Sequence, residues 1–238
     1  MKLQKKDFIE IEFTGRTSEG EIFDSNIKED LKKTNLETEP KPFIFSLDEG
    51  MFLKSIDDFL VGKPVPSKPT IYEISLPPEK AFGARDSQLI QIMPSKIFRE
   101  HKLNPVPGVV FNFDGRIAKV LSVSSGRVIV DFNNPLAGKS VNYKINVLRK
   151  VDDVNEKVRA FMDFLFKKNF DFEIKNNKII IETEKSLVKF VEVFSGKFKE
   201  VLGLDLEIKE AGRKEESGKK AKENMVEKES PGSEMKSQ

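Results

Sequence analysis

The sequence predicts an α+β protein built from three folded parts and a polar tail. Two features carry that prediction. Through most of residues 1–150, apolar and polar residues alternate with the two-residue period of half-buried strands. Over 151–210 the period turns helical, gives way to a hairpin, turns helical again and ends as a strand, the order αββαβ of a two-layer domain.

Each element has its own signal. Residues 8–13 (FIEIEF) alternate as a strand, Ser18-Glu19-Gly20 supplies a turn, and Ile22-Phe23 resumes an extended segment before a polar loop over 26–41. Residues 42–47 (PFIFSL) read as another strand. Phe52, Ile56, Phe59 and Leu60 then recur at helical spacing in a short helix that stops before Gly62. Residues 70–74 (TIYEI) form a strand halted by Pro77-Pro78, since proline has no N–H for a sheet ladder. Between 84 and 137 lies a small β-rich unit: a strand over 89–93, a helical turn over 94–98, and three or four short strands broken at Asp114-Gly115 and Ser125-Gly126. Residues 140–147 (SVNYKINV) alternate as one further strand.

In the last folded part, Val154, Val158, Phe161, Met162 and Leu165 share a helix face, with Asp153 as N-cap. A hairpin turns at Asn176-Asn177, a second helix runs from about Ser186 to Gly203, and 204–208 closes the domain as a strand. The tail over 211–238 has no aromatic residue and consists mainly of Lys, Glu, Ser and Gly; it is expected to be disordered.

Composition excludes much chemistry. The 238 residues contain no Cys and one His, so disulfides, thiol nucleophiles, thiolate zinc sites and multi-imidazole metal centres are absent from the options, and His101 reads as a surface residue. No metal and no cofactor is expected. The 41 Lys+Arg are balanced by 39 Asp+Glu, which gives no single-sign field for nucleic acid or anionic lipid. The N-terminus runs from basic residues straight into a strand pattern, and charges interrupt every apolar run, so neither a signal peptide nor a membrane span is expected and the location is cytoplasmic.

The aromatic residues are 20 Phe, 2 Tyr and no Trp. On composition alone, the Phe-rich stretch before residue 83 reads as a packed sheet core. Its spacing says more. Phe13-Thr14-Gly15, Gly20-Glu21-Ile22-Phe23-Asp24-Ser25, Lys41-Pro42-Phe43-Ile44-Phe45 and Ala81-Phe82-Gly83 follow one another in the order of the motifs of FKBP-type peptidyl-prolyl cis-trans isomerases, which this chain resembles. Asp131-Phe132-Asn133-Asn134-Pro135-Leu136-Ala137-Gly138 is similar to a segment of the long-type members, SlyD-like and archaeal, in which an insert-in-flap chaperone domain interrupts the loop over the active site.

That resemblance implies an FKBP domain over 1–83 plus 138–150, an antiparallel twisted sheet wrapped on a short helix, with an inserted chaperone domain over 84–137. It implies a proline pocket lined by Phe13, Phe23, Phe43, Phe52, Leu53, Ile56, Phe82 and Tyr143, with Asp24 at the rim and the Leu53 N–H donating to a substrate carbonyl. Asp24 also reads simply as a turn residue bonding nearby backbone. Leu89, Ile90, Ile92, Met93, Phe98, Val110 and Phe111 are the candidate client-binding residues of the insert, some of which must form its own core. Expected partners are unfolded or partly folded polypeptides with X-Pro bonds, and 151–210 is a candidate homodimerisation domain. Phe13 and Phe82 stand where many relatives carry Tyr, which leaves a second reading open: a holdase or binding module with a weak or vestigial isomerase pocket.

Overall fold

A computed structural model of the chain describes residues 1–34, 36–113 and 115–210; the expected tail over 211–238 and the turn residue Asp114 lie outside the described residues. The described residues form two units, 1–169 and a second from 170 onward.

The first unit is organised by two long strands. β1 (Phe8–Thr17) and β9 (Val141–Val151) pair antiparallel from Phe8 opposite Val151 to Thr17 opposite Val141. β2 (Ile22–Ser25) and β3 (Phe43–Ser46) flank β1, and β4 (Thr70–Leu76) flanks β9, so the sheet runs β2-β1-β9-β4 with β3 on the far half of β1. α2 (Lys54–Leu60) buries Ile56 and Leu60, which join the core with Ile9, Ile11, Phe45, Leu47, Ile145 and Val147. Fully burying one such side chain contributes roughly 1.5–3 kcal/mol. The polar loop expected over 26–41 contains a single helical turn, α1 (Lys28–Leu31). It is held by Asp30, which accepts from Thr14 and Arg16 of β1.

Between β4 and β9 the chain leaves this sheet and builds a second one. β5 (Ile90–Pro94), α3 (Ser95–Glu100), β6 (Val110–Phe113), β7 (Arg116–Ser124) and β8 (Arg127–Asp131) give an antiparallel sheet in the order β5-β8-β7-β6. The chain departs and returns at one point, where the Gly138 N–H donates to the Gly83 carbonyl at 2.8 Å. Asn133 clamps the same junction: it accepts from the Asp86 N–H and donates to the Asp86 carbonyl.

α4 (Val154–Phe166) starts on the expected cap, with Asp153 accepting from the Glu156 N–H at 2.8 Å. Its buried face of Val158, Phe161 and Met162 packs on β3, and Arg149 ties Glu156 to Glu10 of β1. The helix therefore belongs to the first unit, whereas its periodicity had grouped it with 170–210. Periodicity reveals a buried face and says nothing about what covers it.

The second unit holds β10 (Asp171–Lys175), β11 (Lys178–Thr183), α5 (Lys185–Glu192), α6 (Ser195–Leu202) and β12 (Asp205–Glu210). β10 and β11 form the expected hairpin, and β12 runs parallel to β11, which the helical crossover makes possible. The single helix expected over 186–202 is two. Phe194 leaves helical geometry between them, just before Ser195 and Gly196, both poor helix formers. Phe198, Val201, Ile179 and Ile181 are buried in this unit's core. No helix among the described residues is long and apolar enough to cross a membrane.

Candidate active site

Four elements of the first sheet and the start of α2 converge on one aromatic cup. In β1, residues 13 and 15 share a face, and Gly15 stands opposite Tyr143 of β9 on one side and Asp24 of β2 on the other. The β1–β2 register then jumps from Gly15 and Asp24 to Arg16 and Ile22, which leaves Phe23 as the extra residue of a bulge. A bulge re-aims a side chain. Here the Phe23 ring lies across Gly15, so that a Cβ at position 15 would sit 2.8 Å from Phe23 Cζ and 3.0 Å from Tyr143 Cε1. Gly15 is thus a site residue absent from the expected set. Its φ is not positive, and only the registers of two neighbouring strands expose the requirement.

The rings form a continuous chain. Phe82 meets Phe23 edge to face at 5.6 Å, Phe23 meets Tyr143 at 5.6 Å, and Tyr143 meets Phe52 at 5.8 Å. Phe52 in turn lies 4.9 Å from Phe13 and 5.8 Å from Phe43, whose ring stacks on Phe45 at 5.3 Å. Each such pair adds about 0.5–1.5 kcal/mol beyond the area it buries. The cup is graded in exposure: Phe13, Ile56 and Tyr143 are buried as floor, while Phe23, Phe43, Phe52, Phe82 and Leu53 are half-buried as wall. Seven of the eight expected pocket residues and Asp24 lie on these converging elements, and Phe82 reaches them from the turn that follows β4.

Two polar groups border the cup. Asp24 is half-buried; desolvation raises its carboxyl pKa, and the Ser25 backbone amide partly opposes that. Tyr143 is pushed well above its ordinary value by burial and by the Asp24 charge, so its hydroxyl keeps its proton and the two groups are electrostatic neighbours. Leu53 caps α2: its carbonyl accepts from Ile56 and Asp57, while its own N–H has no acceptor among the described residues. The Ser55 hydroxyl bonds the Lys80 carbonyl at 2.6 Å and so ties the start of α2 to the turn that carries Phe82.

Next to Ile56 in α2, Asp57 is 1% exposed and one of its carboxylate oxygens has no partner among the described residues. Burial pushes its pKa up to about 7, opposed by the Asp48 backbone amide and reinforced by the Asp48 and Asp58 charges. Two clefts meet the cup, one of about 660 Å³ at Leu53 and one of about 640 Å³ at Phe23, the latter running to the second sheet.

The candidate client-binding residues separate by face. Phe98 is fully buried at the centre of the second sheet's core, with Ala118, Val120, Val128 and Val130, and Met93 and Phe111 pack against it. These three are corrected to core residues. Successive strand residues point to opposite faces, and α3 covers the one that carries Met93. Leu89 and Ile90 are half-buried, Ile92 and Val110 are exposed, and Ile117 and Leu121, outside the expected set, are exposed as well. Alternation marked these strands; which face α3 would cover was not marked. His101 is exposed at the end of α3.

A family profile described as FKBP-type peptidyl-prolyl cis-trans isomerase matches residues 1–98, and one described as FKBP26, IF domain, matches residues 91–136. A short-type peptidyl-prolyl cis-trans isomerase of Methanocaldococcus jannaschii is 29% identical over 148 residues, covering 61% of this chain and 92% of that one. The FKBP-type isomerase SlyD of Aeromonas hydrophila is 24% identical over 149 residues, covering 62% and 64%. The FKBP-type 16 kDa isomerase of Escherichia coli is 32% identical over 113 residues, 45% of this chain and 73% of the relative. By these similarities, and with the motifs gathered around one aromatic cup, the chain belongs to the family of FKBP-type peptidyl-prolyl cis-trans isomerases.

Proposed function

We propose that the aromatic cup binds the proline of an X-Pro bond in unfolded cytoplasmic polypeptides and accelerates its cis-trans isomerisation, while the 84–137 sheet acts as a chaperone domain that holds the same chains. The uncatalysed reaction is slow because rotation breaks amide resonance, a barrier of about 18–20 kcal/mol. No proton or nucleophile is needed. The twisted amide carries less charge separation than the planar one, so a dry aromatic site favours it over the ground state.

Phe23, Phe43, Ile56, Phe82 and Tyr143 grip the ring over the Phe13 and Phe52 floor and wall. The Leu53 N–H orients a substrate carbonyl, and Asp24 polarises the rim. The observation that carries this reading is the set of four half-exposed Phe rings beside an amide with no acceptor. The exposed apolar residues Ile92, Val110, Ile117 and Leu121 are the proposed client surface.

A second reading, a holdase with a weak pocket, draws on one feature: Phe13 and Phe82 bring no hydroxyl to Asp24. Proline-limited refolding of a protein client separates the two. The full chain is expected to accelerate it, and a chain with 84–137 removed and Gly83 joined toward Gly138, positions already hydrogen-bonded, is expected to lose most of that while turning over short peptides. Suppressed aggregation with no acceleration by the full chain favours the holdase. Self-association through 151–210 is proposed from the 79%-exposed Val193, and light scattering of the full chain tests it: a monomer at every concentration rules it out.

A further inference from the structure

Resting on the isomerase reading above, we propose that the cleft between β2 and the second sheet is a subsite for the polypeptide flanking the proline, and that Lys119 and Lys139 make it select an acidic side chain there. The cleft of about 640 Å³ shares Phe23 with the aromatic cup, so it adjoins the cup at that ring, within reach of residues next to a proline held there. Its volume falls within the range of ordinary ligand pockets.

One wall is the outer face of the second sheet. Because Ala118 and Val120 turn inward onto Phe98, Ile117 and Lys119 turn outward, and Val110 stands opposite Lys119 in the β6–β7 register. The register shift between Val120 and Ser122 leaves Leu121 as an extra residue, also exposed. Val110 and Ile117 are 54% and 57% exposed, an apolar surface with room for side chains. Pro135, Leu136 and Ala137, in the turn through which the chain returns toward β9, also line the cleft.

The charges are unequal. Arg85 and Asp131 also line the cleft, but they pair with each other, and Asp131 accepts from Asn133 as well. Lys119 stands opposite Asp131 in the β7–β8 register but forms no ion pair with it, and neither it nor the half-buried Lys139 forms one with any acid among the described residues. Glu21, exposed at the lip, is the remaining acid. The walls that pass from the cup are therefore apolar with an excess of positive charge, which complements an apolar chain carrying Asp or Glu. A balanced total charge hides this local excess.

The test measures kcat/KM by NMR exchange on proline peptides with Glu, Gln or Lys at successive positions before and after the proline, with a tetrapeptide too short to enter the cleft as reference. The wild type should prefer Glu over Lys on one side of the proline by about fivefold at low salt, falling as salt screens it. Lys119→Gln with Lys139→Gln should bring the ratio near unity, and Lys119→Arg with Lys139→Arg should retain it. Turnover of the tetrapeptide with no charge preference in the longer peptides, or a preference that survives the double Gln variant, overturns the cleft alone. No turnover of any peptide removes the isomerase reading, and the subsite with it.

Discussion

Two clusters of phenylalanine in the first unit are built alike and finished differently. In the second sheet, Phe98 meets Phe111 at 5.9 Å and Phe113 at 5.4 Å, and Phe113 meets Phe132 at 6.2 Å. In the cup, Phe23, Phe82, Tyr143 and Phe52 meet at 5.6 to 5.8 Å. Pair geometry does not distinguish them. Coverage at the centre does: Phe98, on α3, is fully buried against the second sheet with Phe111, Phe113 and Phe132 half-buried around it, while Phe23, Phe43, Phe52 and Phe82 are half-buried beside an amide with no acceptor among the described residues. A phenylalanine ring makes a core where a helix carries it onto a sheet face and a binding surface where the chain leaves its face open.

The comparison predicts that truncating the sealed cluster costs stability and that altering the open one costs function. Phe98→Ala should destabilise the second sheet by about 3–5 kcal/mol, since the transfer and cavity costs of a buried ring add. Hydrogen exchange should show β5 to β8 losing protection while β1 and β9 keep theirs. Equal loss in both sheets would mean that the second sheet has no core of its own.

Gly15→Ala is the next largest. A methyl 2.8 Å from Phe23 and 3.0 Å from Tyr143 displaces rings that belong to the open cup. Overpacking of this kind costs roughly 1–3 kcal/mol, and the displaced wall should lower turnover more than thermal stability suggests. Unchanged turnover would show that Phe23 does not need its place.

Asp57 gives a smaller effect with a defined sign. The fold holds its proton to about pH 7, whereas an ordinary Asp gives it up near 3.8, so folding binds a proton between those values. Stability therefore falls as pH rises from about 4 to about 7, and the penalty is fully present above 7. Asp57→Asn, neutral throughout, should flatten that part of the curve of denaturation midpoint against pH. A slope unaltered by the substitution would assign it to other groups.

Much of this was legible in the residues. The alternation of β1, β3, β4 and β9, the Asp153 cap and the Asn176-Asn177 hairpin appear where the pattern placed them. The ordered motifs around Phe13, Phe23, Phe43 and Phe82 pointed to the cup before any coordinate did. What escaped depends on partners distant in sequence. The apolar face of α4 was plain, but not that β3 covers it. Met93 and Ile92 are adjacent and both apolar, and only the position of α3 decides that the first is core and the second surface. Gly15 stood in the Phe13-Thr14-Gly15 motif, but that its missing Cβ makes room for Phe23 and Tyr143 followed only from two strand registers. The break between α5 and α6 at Phe194 had a local signal in Ser195-Gly196, which the apolar stripe on either side outweighed.

The central claim is that the open rings, and not the sealed ones, carry the isomerase activity. It is tested most directly by the rate of exchange of a short X-Pro peptide measured with the wild type, Phe82→Ala and Asp24→Ala, each checked for an unchanged unfolding midpoint. The account predicts a loss of about tenfold in kcat/KM for Phe82→Ala, of the order of one aromatic contact in free energy, and a smaller loss for Asp24→Ala. A wild-type rate in Phe82→Ala would contradict it.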